Sequence, residues 1–132
     1  MIPTSGRYLL DTNIIITLLN GETTVKASVP WVEEVYIPII SIGELLYGAA
    51  KSARPAENRE LVKELVETCV VQYCDFEVAN EYGKIKHALR RLGKPIPEND
   101  MWIAAIARRF GLTLVSRDHH LQSVPGLPLQ AW

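Results

Sequence analysis

Short runs of strand character alternate along this chain with longer segments of helical period, and that alternation limits the possible folds more than any other feature. Tyr8-Leu9-Leu10 is a brief apolar run closed by Asp11, and Thr12 to Leu19 reads as a short helix ending near Gly21. Val25 to Val35 suggests a second helix, with Pro30 tolerated only in a first turn or at a break. Val35 to Ile40 is strand-like through its β-branched residues, and Ser41 opens a helix to about Arg54. From Pro55, the residues Leu61, Val62, Leu65, Val66 and Cys69 recur at helical spacing and form a core face. Val70 to Cys74 is a strand. Asp75 is placed to cap a helix whose apolar stripe is Val78, Tyr82, Ile85, Leu89 and Leu92, with Gly93 ending it. Pro95 and Pro97 impose an extended link. Glu98 to Phe110 is helical up to Gly111, Leu112 to Ser116 is a strand, and the tail is loop or a final edge strand. Strands separated by helices lead to an α/β sandwich with a mainly parallel sheet.

A chain of 132 residues is expected to form one compact domain and to bury about two-thirds of its unfolded surface. No apolar run approaches the roughly 20 residues that span a bilayer, and the N-terminus lacks a signal-peptide pattern, so a cytoplasmic location is expected. Cys69 and Cys74 are too few for a disulfide framework or a tetrahedral zinc site, and read as small buried residues, one near a helix end and one in a strand. A net charge of −1 argues at first against a polyanionic partner. Setting four of the 15 acids aside as one site leaves 11 against 14 Lys and Arg, a surplus of +3.

Those four are Asp11, Glu44, Asp100 and Asp118. In open parallel sheets, ligands collect beyond the carboxyl ends of the strands. Asp11 follows the first strand and Asp118 the last clear one, while Glu44 and Asp100 lie in the first turns of helices. Each has an ordinary structural explanation taken alone. Asp11 is a helix cap, Ser41-x-x-Glu44 matches a capping box, Asp100 complements a helix N-terminus, and Asp118 is a turn residue. Gathered at one edge they mean more. Clustered carboxylates oppose one another's ionisation, and a hard divalent cation such as Mg²⁺ or Mn²⁺ relieves that repulsion and supplies phosphoryl chemistry without a protein nucleophile.

The blocks Leu9-Leu10-Asp11-Thr12-Asn13, Ser41-Ile42-Gly43-Glu44-Leu45-Leu46-Tyr47-Gly48, Asn99-Asp100-Met101-Trp102-Ile103-Ala104-Ala105 and Leu114-Val115-Ser116-Arg117-Asp118 resemble the PIN-domain family, and within it the VapC-type ribonuclease toxins of toxin–antitoxin pairs. The resemblance runs in order over nearly the whole chain. It implies a single three-layer α/β/α PIN-like domain over 1–132 with a mainly parallel central sheet. It implies a metal-dependent endoribonuclease using Mg²⁺ or Mn²⁺, with Asp11, Glu44, Asp100 and Asp118 as metal-binding catalytic acids. Asn13 and Ser116 match polar positions that support those acids. An RNA substrate, a homodimer and an antitoxin whose tail enters the active-site groove are implied as well.

His119-His120 beside Asp118 suggests a transition-metal site, but adjacent residues rarely hold one ion together; the family resemblance implies that His120 lines the site mouth, as a candidate RNA contact. Lys84, His87 and Arg91 share a helix face, with Lys94 nearby and Arg117 beside Asp118; these are candidate RNA contacts, although such a face is usually only solvated. Trp31, Trp102 and Trp132 are assigned to core or interface. A haloacid-dehalogenase-type phosphatase needs a second Asp two residues after the first, where this chain has Asn13. A non-catalytic RNA-binding PIN module would have lost acids that this chain keeps. A PIN nuclease of RNA processing or quality control is the remaining enzymatic alternative.

Overall fold

The computed structural model describes residues 6–21 and 34–132. Five parallel strands form one sheet in the order β3-β2-β1-β4-β5. They are β1 (Arg7–Leu10), β2 (Glu34–Pro38), β3 (Val70–Gln72), β4 (Thr113–Val115) and β5 (Leu129–Gln130). The α-helices are α1 (Thr12–Leu19), α2 (Ile39–Ala50), α3 (Pro55–Thr68), α4 (Phe76–Arg91) and α5 (Glu98–Phe110), and a 3₁₀ turn covers His119–Ser123.

Period-two alternation along β1 sends side chains to opposite faces and so creates two cores. Leu9 packs with Ile85, Leu89, Ile103, Ile106 and Leu114, which places α4 and α5 on one face. Tyr8 and Leu10 pack with Ile14, Ile15, Ile42, Val62 and Leu65, which places α1, α2 and α3 on the other. The three-layer α/β/α arrangement follows directly. Every observed strand pair is parallel, the short edge strand β5 included.

Local chemistry sets the boundaries. The Asp75 carboxylate accepts from the Val78 N–H at 2.8 Å and starts α4. Gly111, at φ +64°, lets the chain leave α5 in the left-handed conformation. Some expectations need correction. The helix expected over Val25–Val35 lies, up to residue 33, outside the described residues, as does Trp31, and its last two residues belong to β2. The strand expected over Val35–Ile40 stops at Pro38, and α2 starts at Ile39, so Ser41 lies inside the helix instead of opening it. Pro38 explains the shift, because its fixed φ of −68° with an extended ψ makes it the junction residue. The third strand ends at Gln72, leaving Cys74 exposed beyond it, and Cys69 is only half-buried. Leu61 and Leu92, placed on core faces by their spacing, are 48% and 57% exposed, because none of the described elements covers them.

Candidate active site

The strand order turns back at β1: the chain goes from β1 outward to β2 and β3, then crosses to β4 on β1's other side. Such a reversal leaves a crevice at the carboxyl ends of the two diverging strands. Asp11 directly follows β1, and Ser116 and Asp118 follow β4. Helices connecting parallel strands run back against them, so their N-termini face this same edge. Asp100 comes to it in the first turn of α5, and Glu44 in the second turn of α2.

Asp11 is buried. One carboxylate oxygen accepts from the Thr12 N–H at 2.8 Å and the other from the Ser116 hydroxyl at 2.7 Å. Asp11 therefore caps α1 and belongs to the acid cluster at once. Burial pushes its pKa up, the Ser116 and Thr12 hydrogen bonds oppose that, and the Asp118 charge adds to it. Ser116 Oγ also accepts from the Asp118 N–H at 3.0 Å, so one hydroxyl links the ends of β1 and β4. Thr12 Oγ1 lies 2.8 Å from Glu44 Oε1 and 2.7 Å from Ser41 Oγ. With a single hydrogen it serves the carboxylate and accepts from the serine. The capping-box reading of Ser41 and Glu44 is thereby replaced: Glu44 reaches across to α1 and not back along its own helix.

Asp100 has its pKa pushed up to about 6, first by burial, then by the charges of Asp11 and Asp118, by a hydrogen bond with Asp118, and by Glu44. All four acids thus act on one another across the crevice. Asp118 also accepts from the His120 N–H at 2.9 Å, and its Oδ1 lies 3.0 Å from His120 Nδ1.

A PIN-domain family model matches residues 8–127. The chain belongs to the PIN-domain family. This PIN domain is 33% identical to Ribonuclease VapC2 of Haemophilus influenzae over 96% of the chain and 98% of that relative. It is 32% identical, over the same shares, to the tRNA(fMet)-specific endonuclease VapC of Shigella flexneri. Its backbone superposes with a TM-score of 0.88 on the crystal structure of DNA-bound VapBC from Salmonella typhimurium, at 28% identity, covering 100% of this chain and 99% of that one.

The remaining residues of this PIN domain divide between the crevice and the surface around it. Asn13, in the first turn of α1, has a buried Oδ1 with no hydrogen-bond partner. Lys84 pairs with Glu81 on its own helix at 3.4 Å, and His87, Arg91 and Lys94 are exposed around the end of α4. Arg117 donates from Nε and Nη2 to the Trp132 main-chain oxygen, at 3.0 and 2.8 Å. Trp102 stacks on Tyr82 with ring centroids 4.0 Å apart, and Trp132 tilts against Tyr8, which gives both indoles packing roles.

Sequence reasoning missed Thr12 and Ser41, whose contacts join α1 to α2 across 29 residues or more. A hydroxyl immediately after the first acid was the only available signal. It also missed an apolar groove of about 440 Å³ between α1, α2 and α3 that runs from Leu61 and Leu19 to Thr12 and Glu44.

Proposed function

We propose that this chain is a metal-dependent endoribonuclease, the toxin of a toxin–antitoxin pair. The observation that carries this reading is the convergence of four carboxylates at the turning point of the sheet, with Asp100 pushed up to about 6 by burial and then by the charges of the other three. That much opposed charge suits a divalent cation, and the donor set of hard oxygens suits Mg²⁺ or Mn²⁺. Asp11, Glu44, Asp100 and Asp118 would hold the ion. When bound, it would supply Lewis acidity and neutralise charge on the phosphodiester while water is added across the P–O bond. Ser116 and Thr12 fix the orientation of Asp11 and Glu44, and the unpaired Asn13 oxygen supplies a further polar group at the base of α1. His87, Arg91 and Lys94, together with Lys84, offer RNA phosphates a positive approach surface on the α4 side. The Shigella flexneri relative is named for tRNA(fMet), which makes a structured tRNA the first substrate to test.

The apolar groove, with Ile16, Leu19 and Leu61 each more than a third exposed, fits the antitoxin. An apolar helix would lie between α1 and α3, and a guanidinium would reach Glu44 and its neighbours, pairing with carboxylate in bidentate geometry. The VapBC neighbour supports such a partner, and a homodimer of the nuclease is part of the same proposal. The experiment is RNA cleavage with and without chelator. EDTA is expected to abolish cleavage and Mg²⁺ or Mn²⁺ to restore it. Equal cleavage by the metal-free protein would end the metal-dependent reading.

A further inference from the structure

We infer that His120 is a metal ligand of this site and gives it a preference for Mn²⁺ over Mg²⁺; the inference rests on the metal-binding reading of the acid cluster. One donor atom each from Asp100, Asp118 and His120 lie within 4.8 Å of one another. Around an ion with bonds of about 2.1 Å, neighbouring octahedral donors stand roughly 3.0 Å apart and opposite ones roughly 4.2 Å. The three side chains are therefore close enough for small side-chain rotations to bring them onto one cation.

The 3₁₀ turn places the imidazole there. Asp118 caps the turn by accepting the His120 N–H at 2.9 Å, which brings the ring back over the same carboxylate, with Nδ1 3.0 Å from Oδ1. His119 has no place in this donor cluster, so the tandem histidines are not equivalent. The ring is 64% exposed, so no packing force is needed to explain its position, and the contact with Asp118 is what orients it. A cation bound there would be held by both of these atoms.

The donor type sets the selectivity. Carboxylates serve Mg²⁺ and Mn²⁺ alike, whereas an imidazole nitrogen is a poor partner for Mg²⁺ and a good one for transition metals. An all-oxygen cluster would discriminate little; replacing one oxygen by His120 nitrogen tilts the site toward Mn²⁺.

The test uses the intact chain, stripped of metal, and measures binding of Mn²⁺ and Mg²⁺ by calorimetry. Pulsed electron paramagnetic resonance of the Mn²⁺ form then looks for coupling to ¹⁴N. Wild type is expected to show imidazole coupling that persists in His119→Ala and disappears in His120→Ala. His120→Ala should lower Mn²⁺ affinity by on the order of tenfold or more and leave Mg²⁺ affinity within about twofold, which compresses the ratio between the two. His120→Asp, which restores an oxygen ligand, should recover affinity for both ions without recovering the preference. Absence of nitrogen coupling in wild type, or an unchanged Mn²⁺ to Mg²⁺ ratio in His120→Ala, would overturn the assignment. RNA cleavage is scored separately: coupling to His120 without cleavage would sink the nuclease reading and keep the ligand, and cleavage without coupling would do the reverse.

Discussion

The two faces of the sheet are built differently, and each delivers acids to the same edge. On the α4–α5 face, Ile103, Ala104, Ala105, Ile106 and Ala107 are all fully buried, five consecutive residues of one helix. Alanines let α5 lie close between the sheet and α4, and the face is closed. On the α1–α2–α3 face, Ile16, Leu19 and Leu61 are left 44%, 38% and 48% exposed along a groove that ends at Glu44. The closed face carries Asp100, and the open face leaves apolar surface uncovered by the described residues next to another acid of the same cluster. The difference teaches that tight packing is concentrated in one layer, while the other keeps the apolar surface on which the proposed partner would dock.

The largest effects are expected where the two faces meet. Asp11→Asn and Asp100→Asn should each lower RNA cleavage by about two orders of magnitude or more, with far-ultraviolet circular dichroism unchanged. Their combination should cost little beyond either alone, because both serve one centre; near-normal cleavage by either at saturating Mg²⁺ would show that the two faces do not share it. Next is the closed face. Ile106→Ala is expected to cost about 2–5 kcal/mol in denaturant unfolding, since the sealed core cannot collapse around the cavity. On the open face, Leu61→Ser should change stability by no more than about 0.5 kcal/mol and yet visibly reduce binding of the apolar dye ANS. Equal costs for these two substitutions would erase the contrast.

The smallest expected effect is a pH dependence. Asp100 in the folded chain is held near 6, against an ordinary value of 3.8. The folded state therefore keeps a proton that the unfolded chain has released. That contribution is complete below about pH 4 and lost as the pH rises through about 6. In EDTA, Asp100→Asn should melt close to wild type at pH 4 and higher by on the order of a few degrees at pH 7, half-exposure of the carboxyl limiting the gain. A constant difference across that range would mean that the carboxylates do not repel one another as the geometry requires.

Much of this was legible beforehand, and the exceptions share a cause. Glu98–Phe110 is a helix with the expected ends, because Pro97 and Gly111 mark both of them locally. Asp75 caps α4 for the same reason. The four acids converge as expected, because each sits next to a strand end or in the first two turns of a helix, and topology does the rest. What escaped depends on distant partners. Thr12 meets Glu44 across 32 residues, and its hydroxyl beside Asp11 does not say which partner it will find. Leu61 and Leu92 fit a helical period, but a period cannot say whether another element arrives to cover them. Ser41 and Glu44 matched a local motif, and the strand end at Pro38 overrode it by starting the helix two residues early.

The pairing of β1 with β4 joins Tyr8 to Thr113 and Leu10 to Val115, neighbours in space drawn from opposite ends of the chain. During synthesis Asp11, Glu44 and Asp100 all emerge from the ribosome before the strand that aligns the last acid with the first. Local helices form as they appear, whereas a contact across a hundred residues waits for both partners. From residue 100 until β4 is made, the nascent chain therefore carries three of the four carboxylates while lacking the crevice, and a product released before Thr113 would stay without it.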